Sequence, residues 1–541
     1  MAETRPILIA GAGPTGMTAA LELARFGVPV RLVEKKAGPA TTSRAIGVQA
    51  RTLELFEQRG LVDAMLAAGN PARGLTIHGG GRDRMAVDFG HIPSRYRCVL
   101  IISQAETERI LRDELARRGV AVEWGVELIA LAQAEGHDAA ESGAGAGGRI
   151  GATLRHPDGG LEEVDAAYLI AAEGAHSLAR STLGVPFEGH AFGEGYALGD
   201  FTLDGDLPDD RMQVFAARTG FMALFPFGGR RFRLIVSKPR GPAAPGAEPP
   251  LAELQAIYDE RSEVPARFRD LTWSSYFRIH SRMVAGLRRG RACFGGDSAH
   301  IHSPAGGQGM NTGIQDMINL GWKLALVYHG RATPALLDTY DEDRLPVIRA
   351  VLKQTEALTD AMGVENPWFR SAFDHVAPLV VGTSFVQDKA AATVSQVAYD
   401  YRAGALATTT AHHGHLRAGD RLPDLAATVA GPAPGVADAQ GRLFGLLDPG
   451  RFTLLLANGA NPDAWRARVE AEIVGPWADL VRVVAVGPPA DAEGRDAYAK
   501  ALGDRPALVL VRPDSYIGFL GDEAHGPALG EYLRRWLPGD R

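Results

Sequence analysis

Cysteine is almost missing from this sequence: its 541 residues carry two, Cys98 and Cys293. That excludes a disulfide framework and any CxxC or Cys/His zinc cluster, and such sparing use suits a reducing, cytoplasmic setting. Long apolar runs are missing too. No stretch reaches the ~18 residues of a membrane span. MAETRP leads straight into a strand, without the basic region and apolar segment of a signal peptide. Lysine and arginine do not cluster, and the net charge is −7, which argues against nucleic acid as a partner. Glycine is abundant by contrast: 65 residues, about 12% against a typical ~7%. Such an excess points to tight turns and close backbone approaches. At about 100–200 residues per domain, the chain should fold as about three or four units.

The first glycine cluster sits in a telling context. Pro6 to Ala10 (PILIA) is a short apolar strand, GAGPTG follows with Gly11, Gly13 and Gly16, Met17 to Phe26 is helical in pattern, and Pro29 to Val33 is a second strand ending in Glu34. Together these form a dinucleotide fingerprint in its proper setting. Gly11 allows the tight turn, Gly13 lets the backbone approach a pyrophosphate, and Gly16 permits close helix packing. The phosphates would lie at the helix start, by Pro14 and Thr15, where free N–H groups and the helix dipole favour negative charge. Glu34 would accept from a ribose hydroxyl and repel a 2′-phosphate, which suits the ADP half of FAD or NAD and not NADP. Gly143, Gly145 and Gly148 in GAGAGG fit the same pattern but follow LAQAEGHDAAES, which is no buried strand. That segment is expected to be a hairpin loop.

Two later segments decide the chemistry. AAEGAHSLAR (Ala171 to Arg180) follows an apolar strand, and GRACFGGDSAHIHSPAGGQGMNTGIQDMINLGWKLAL spans Gly290 to Leu326. Arg291 to Phe294 reads as a strand whose end turns sharply at Gly295-Gly296-Asp297, placing Asp297 to accept from sugar-alcohol hydroxyls. Pro304 to Gly309 is a loop that brings backbone N–H groups to a flat ligand. Ile314, Met317, Ile318, Leu324 and Ala325 give the following helix one buried face. Its N-terminus near Asn311 would stabilise the negative charge of a reduced flavin.

With these motifs the sequence resembles the class A flavoprotein aromatic hydroxylases, the para-hydroxybenzoate hydroxylase-like family. The similarity is greatest to the phenol, pentachlorophenol and polyketide branch with a C-terminal thioredoxin-like domain. The resemblance runs over nearly the whole chain. It implies an α/β fold: a Rossmann-like FAD-binding domain, a β-rich substrate domain, a helical region and a thioredoxin-like tail. It also implies that Asp297 binds the ribityl and pyrophosphate region, and that Pro304, Gly306, Gly307, Gly309, Met310 and Asn311 border the flavin ring. Arg44 matches an arginine near the mobile flavin, and Gln104 a glutamine that contacts FAD. Arg44 and Pro304 are the residues expected nearest the chemistry. Arg109 and Arg112, on the helix that Gln104 opens, read as solvated.

Two departures stand out. Glu173-Gly174 replaces the usual Asp-Gly of a motif tied to FAD and NADPH, although Ser177 and Arg180 follow as expected. Asp343-Arg344 replaces Glu-Arg and is read as structural.

The expected FAD-binding domain is discontinuous, 1–75, 98–182 and 281–345, with a substrate domain at 76–97 and 183–280. A helical region at 346–405 and a thioredoxin-like domain at 416–541 complete the chain. Leu75 to Asp88 and Gly195 to Ser237 read as short alternating strands, and Tyr340 to about Tyr401 as largely helical. Phe215, Phe221, Phe225 and Phe227 either line an aromatic pocket or form sheet core. AHHGH (His412, His413, His415) reads as a surface loop and not a metal site. In the tail, strands are expected at Phe452 to Ala457, Val481 to Val486 and Ala507 to Val511, with helices near Ala464 to Glu470 and Ala528 to Trp536. VRPDSYIGFLG resembles the family's closing hairpin. No cysteine lies past Cys293, so this tail cannot run dithiol chemistry, and packing or dimerisation is its expected role.

No second convincing dinucleotide fingerprint exists, which with the resemblance implies transient docking of NADPH or NADH. The implied reaction is hydroxylation of a small phenolic or polyketide aromatic by O2 through a C4a-hydroperoxyflavin, with no metal, in a monomer or homodimer. His190, Tyr196 and Arg233 are candidates for a group facing the phenol. A flavin oxidase, dehydrogenase or halogenase on the same scaffold, or a non-catalytic flavin-binding or ligand-sequestering protein, are the alternatives. The WxWxIP signature of halogenases is absent.

Overall fold

The structure, a computed structural model, describes residues 5–41, 45–79, 82–133, 148–217, 219–237, 247–304, 306–363, 391, 394–430 and 441–538. Arg44, the helical expectation over 364–390 and most of the GAGAGG segment lie outside them. The fold is mixed α/β, as expected. No helix among the described residues is long and apolar enough to cross a membrane.

The apolar strand Ile7–Ala10 is buried along its whole length and pairs in parallel with Val30–Glu34 on one side and Tyr168–Ala171 on the other. Ala292–Phe294 and Val122–Trp124 extend this parallel core, and Arg288–Arg289 adds an antiparallel edge. A strand covered on both faces carries a continuous apolar run, not an alternating one. Helix α1 (Pro14–Arg25) packs on α4 (Gln104–Arg117) and on α7 (Gly309–Tyr328), buried from Asn311 onward, while α2 (Ala50–Glu57) and α3 (Val62–Ala68) complete this side. Gly313 and Gly321 let α7 approach so closely. A Cβ on Gly313 would stand 2.5 Å from Thr15 Oγ1, and one on Gly321 2.4 Å from Glu22 Cβ.

An eight-stranded sheet forms the second layer, in the order His300–Ile301, Ala266–Met283, Glu188–Gly205, Arg231–Ser237, Gly220–Gly228, Met212–Ala217, Gly74–Gly79, Arg82–Asp88. Two of its strands run 18 residues, longer than the short alternating strands expected. One face is closed by α6 (Leu251–Arg261) over a core that includes Phe201, Phe215, Met222, Leu224 and Phe268. The other face turns toward the first layer, where Gly220–Gly228 meets the segment Asn70–Ala72 and α8 (Thr339–Gly363).

The C-terminal body is a six-stranded mixed sheet. Phe452–Ala457 and Val481–Gly487 pair in parallel, and Ala507–Val511 with Ile517–Asp522 closes the sheet as an antiparallel hairpin. Helices α9 (Pro462–Val469), α10 (Ala492–Leu502) and α11 (Gly526–Trp536) flank it. The expected strands and helices of the tail appear with ends shifted by two residues or fewer. The expected hairpin is the turn Arg512–Ser515.

Candidate functional site

Three loops leave the carboxyl ends of neighbouring parallel strands and converge. Ile7–Ala10 is flanked by strands that continue in opposite directions across the sheet, so a crevice opens at its end, the usual ligand position in such sheets. Gly11 lies there with φ +100°, and a Cβ on it would stand 2.3 Å from the carbonyl of Ala172. Gly16 is as constrained: its Cβ would stand 1.8 Å from the carbonyl of Gly11. Gly13 differs from both. A Cβ there meets nothing within 4 Å, so two glycines close the turn and the third faces open space. Pro14 takes the first helical position of α1, and the Thr15 side chain fills the notch between Gly296 and Gly313. Glu34 accepts from the N–H of Ala12 at 2.9 Å, which ties the second strand's acidic end to the glycine loop. Open space over Gly13 and a carboxylate one strand away fit the pyrophosphate and ribose of a dinucleotide.

The second loop carries Glu173. Its carboxylate accepts from Ser177 Oγ at 2.6 Å and from the N–H groups of Leu178 at 3.0 Å and Ala179 at 3.3 Å. It therefore caps the short helix α5 (Leu178–Thr182), and burial holds it above the usual carboxylate range. Gly174 beside it has φ +85° and open space around its Cβ position. Arg180 ties this loop to the third by donating to the carbonyls of Ala175 and Ser298.

The third loop places Asp297 exposed at the end of Ala292–Phe294. Beyond it Pro304 and Gly306 are exposed, Gly307, Gly309 and Met310 are half-buried, and Gly306 and Gly307 have φ +87° and +62°. The loop is pinned by Asn311, which is fully buried. Asn311 Oδ1 accepts from the N–H of Gln49 at 2.8 Å, and Nδ2 donates to the carbonyls of Gly47 at 2.8 Å and Gly307 at 2.9 Å. Gln49 Nε2 in turn donates to the Gly306 carbonyl at 2.9 Å. Asn311 thus holds the loop together, and Gln49, for which the sequence offered no signal, is its counterpart. Gln104 Oε1 accepts from the N–H of Ala45 at 3.2 Å and Nε2 donates to Glu108 at 2.8 Å, fixing the chain next to Arg44.

His302 is a second residue that sequence reasoning passed over. Its Nδ1 lies 2.8 Å from the Ser303 carbonyl, which can only accept, so Nδ1 carries the proton. Burial pulls its pKa down to about 4, so the imidazole is neutral. Both thiols are pushed up by burial, Cys98 to about 11 and Cys293 to about 12, and neither is a nucleophile at neutral pH.

The face of the eight-stranded sheet away from α6 meets the first layer where Gly220–Gly228 contacts α8 and Asn70–Ala72. Cross-strand register places Trp273, Asp200, Arg233 and Phe225 in one row on it. Phe225 and Phe227 are half-buried and pack toward the first layer. Phe215 does not join them. It faces the other way, 2% exposed, stacked 4.4 Å from the His78 ring and edge-on to Tyr258 in the core under α6. The expectation that it lines a pocket is corrected, because strand alternation sends it to the opposite face. Arg233 donates to both oxygens of Asp200, at 2.6 and 2.7 Å, and has no exposed surface, so it cannot serve as a base. Tyr196 is buried and stacked on Phe277, and His190 is exposed. His415 Nδ1 lies 2.8 Å from the Lys500 carbonyl and His413 is buried.

Residues 4–355 match the family described as FAD binding domain, and residues 415–539 the family described as aromatic-ring hydroxylase, C-terminal. The chain is 35% identical to 6-methylpretetramide 4-monooxygenase of Streptomyces rimosus, over 100% of this chain and 95% of that protein. It is 32% identical to pentachlorophenol 4-monooxygenase of Sphingobium chlorophenolicum, over 94% and 93% of the two chains. Among solved structures, anhydrotetracycline hydroxylase from Streptomyces rimosus superposes with a TM-score of 0.77 at 28% identity, covering 99% of this chain and 100% of that one. An aromatic hydroxylase from angucycline biosynthesis gives 0.76 at 28% identity, with 100% of each chain covered.

Proposed function

Because the chain belongs to the family of FAD-dependent aromatic-ring hydroxylases, we propose that it hydroxylates a phenolic or polyketide aromatic with O2 and NAD(P)H. One oxygen atom enters the ring and the other leaves as water, while NAD(P)H and a proton supply the reducing equivalents. FAD, when bound, supplies hydride acceptance and O2 activation. The observation that carries the reading is the sheet face turned away from α6, which bears Phe225, Phe227 and Trp273, with Phe225 and Phe227 packed against the core of the first layer. A flat, apolar substrate matches that wall, and closing it over the loop would keep water from the reacting atoms.

The residues divide the work by chemistry. Backbone N–H groups at the start of α1, with Gly13 leaving room, hold the pyrophosphate. Glu34 and Asp297 accept from ribose and ribityl hydroxyls. Gly306, Gly307, Gly309 and Met310 present backbone to the ring edge at the positive end of α7, and Asn311 keeps that edge in place. Arg44 and Pro304 are assigned to the ring's surroundings by resemblance. Relatives acting on 6-methylpretetramide and pentachlorophenol point to a phenol-bearing ring as the substrate class.

The test is anaerobic reduction of the bound flavin by NADPH and by NADH, with and without a panel of phenols and polycyclic aromatics. The expected result is that one class of ligand speeds bleaching of the yellow flavin several-fold. No reduction by either nucleotide under any ligand would overturn the hydroxylase reading.

A further inference from the structure

A cluster of buried charges lies outside the site described so far. Asn319, Trp322 and Lys323 project from α7, Asp343 from α8, and Arg512 and Asp514 from the C-terminal hairpin turn. Arg51 approaches the same turn from α2, and each of these seven residues is at most 2% exposed. Asp514 Oδ2 accepts from Arg512 Nη2 at 2.5 Å, Asn319 Nδ2 at 3.0 Å and Trp322 Nε1 at 3.3 Å. Asp343 Oδ2 accepts from Lys323 and Arg512 at 2.7 Å each and from Asn319 at 2.9 Å. Two cations and two anions thus balance in a sealed space. Arg51 Nη2 donates to the Asp514 carbonyl at 2.9 Å and to Ser515 Oγ at 3.1 Å, and Arg51 Nη1 to Glu54 at 3.1 Å.

The importance lies in where α2 and α7 lead. Arg51 is two residues from Gln49, and Asn319 is eight residues along α7 from Asn311, about 12 Å of helix. Gln49 and Asn311 are the pair that clamps the loop Gly306–Gly307. The turn Arg512–Ser515 therefore holds both walls of that loop from behind, through the first turn of α2 and the middle of α7. Buried ion pairs are a poor source of net stability against apolar packing, and fixing a register is their best-attested use.

We propose that Asp514 is a positioning residue through which the C-terminal body sets α2 and α7, so that docking of that body and binding of FAD are coupled. This gives a role to a tail that has no cysteine and hence no dithiol chemistry. It rests on FAD binding and not on the identity of any substrate. Coupling of this kind is reciprocal: if the turn favours FAD, FAD must favour the docked turn by the same factor.

The test uses the full chain. FAD is titrated into the apoprotein while amide hydrogen exchange is followed. In the wild type, FAD should slow exchange in Ala507–Val511 and Ile517–Asp522 as well as around residues 11–16 and 306–311. Asp514→Asn should weaken FAD binding about tenfold and abolish the protection of the hairpin. Trp322→Phe removes one hydrogen bond to Asp514 and keeps an aromatic ring, so it should show a smaller shift in the same direction. Should Asp514→Asn fail to fold, the wild-type exchange and Trp322→Phe decide the matter. Protection by FAD confined to residues 5–363, or an Asp514→Asn protein that melts lower yet binds FAD as the wild type does, would overturn the proposal. The second outcome would leave the network a purely structural one.

Discussion

Replacing Gly13 with alanine separates folding from cofactor binding at a single position. The backbone there has φ −76° and ψ −178°, an extended conformation open to any residue, and the added methyl meets no atom within 4 Å. Lower chain entropy in the unfolded state should contribute about 0.4–1 kcal/mol, offset by alanine's poorer quality as the residue capping α1. The apoprotein should then melt within about 4 °C of the wild type. FAD should suffer instead, because the methyl occupies the space into which a pyrophosphate must come. Overpacking of one methyl costs about 1–3 kcal/mol, or roughly a 5- to 150-fold rise in Kd. Gly16→Ala is the contrast. Its Cβ would stand 1.8 Å from a backbone carbonyl, so the loop itself must break and the apoprotein should melt well below the wild type. Flavin fluorescence quenching gives the affinities and calorimetry of the apoprotein the melts. Wild-type FAD affinity in a folded Gly13→Ala protein would refute the placement of the phosphates at this turn.

The aromatic residues should divide by sheet face. Phe215→Ala should cost about 3–5 kcal/mol of stability and leave the flavin's spectral response to 2-naphthol unchanged. Phe225→Ala and Phe227→Ala should cost less and weaken that response, and equal behaviour of all three would contradict the assignment of faces. His302 should give stability a pH dependence. Its folded pKa of about 4 lies below the ordinary ~6.5 of an unfolded imidazole, so the unfolded chain binds more protons between those values. Stability should therefore fall as pH drops from about 6.5 to 4. His302→Phe should remove that part of the profile in melts across pH, and an unaltered profile would show that His302 does not titrate there.

Legibility in the sequence followed the range of the interaction. Gly11, Gly13 and Gly16 were readable because strand, turn and helix adjoin in one short motif, even though the Gly11 constraint comes from the distant Ala172 carbonyl. The tail's strands were readable for the same reason, as apolar runs such as Phe452–Ala457 announce themselves. Phe215 and Phe225 illustrate the limit. Both sit in apolar strands, and only cross-strand register, with Phe215 opposite Met222 and Phe225 opposite Arg233, reveals that they face opposite ways. Asp343 was readable as structural, but its partner Arg512 lies 169 residues away. No local pattern encodes that pairing. Gln49 and His302 were missed for a related reason: a lone polar residue acquires its role from the loop that closes over it.

Glu173 shows how a departure from a family pattern can be absorbed. Glutamate stands there in place of the family's aspartate, one methylene longer. The carboxylate collects three donors from Ser177, Leu178 and Ala179, and a side chain spent on a helix start has little left to offer a ligand. The open neighbour is Gly174, where a Cβ would meet nothing within 4 Å. If this loop contributes to a bound nucleotide, it does so with backbone at Gly174, and the carboxylate's part is to hold α5 and thereby the loop's shape. The length of the acidic side chain then matters for reach to Leu178 and Ala179. The extra methylene fits the fold because the longer side chain reaches Ser177, Leu178 and Ala179 at the helix start.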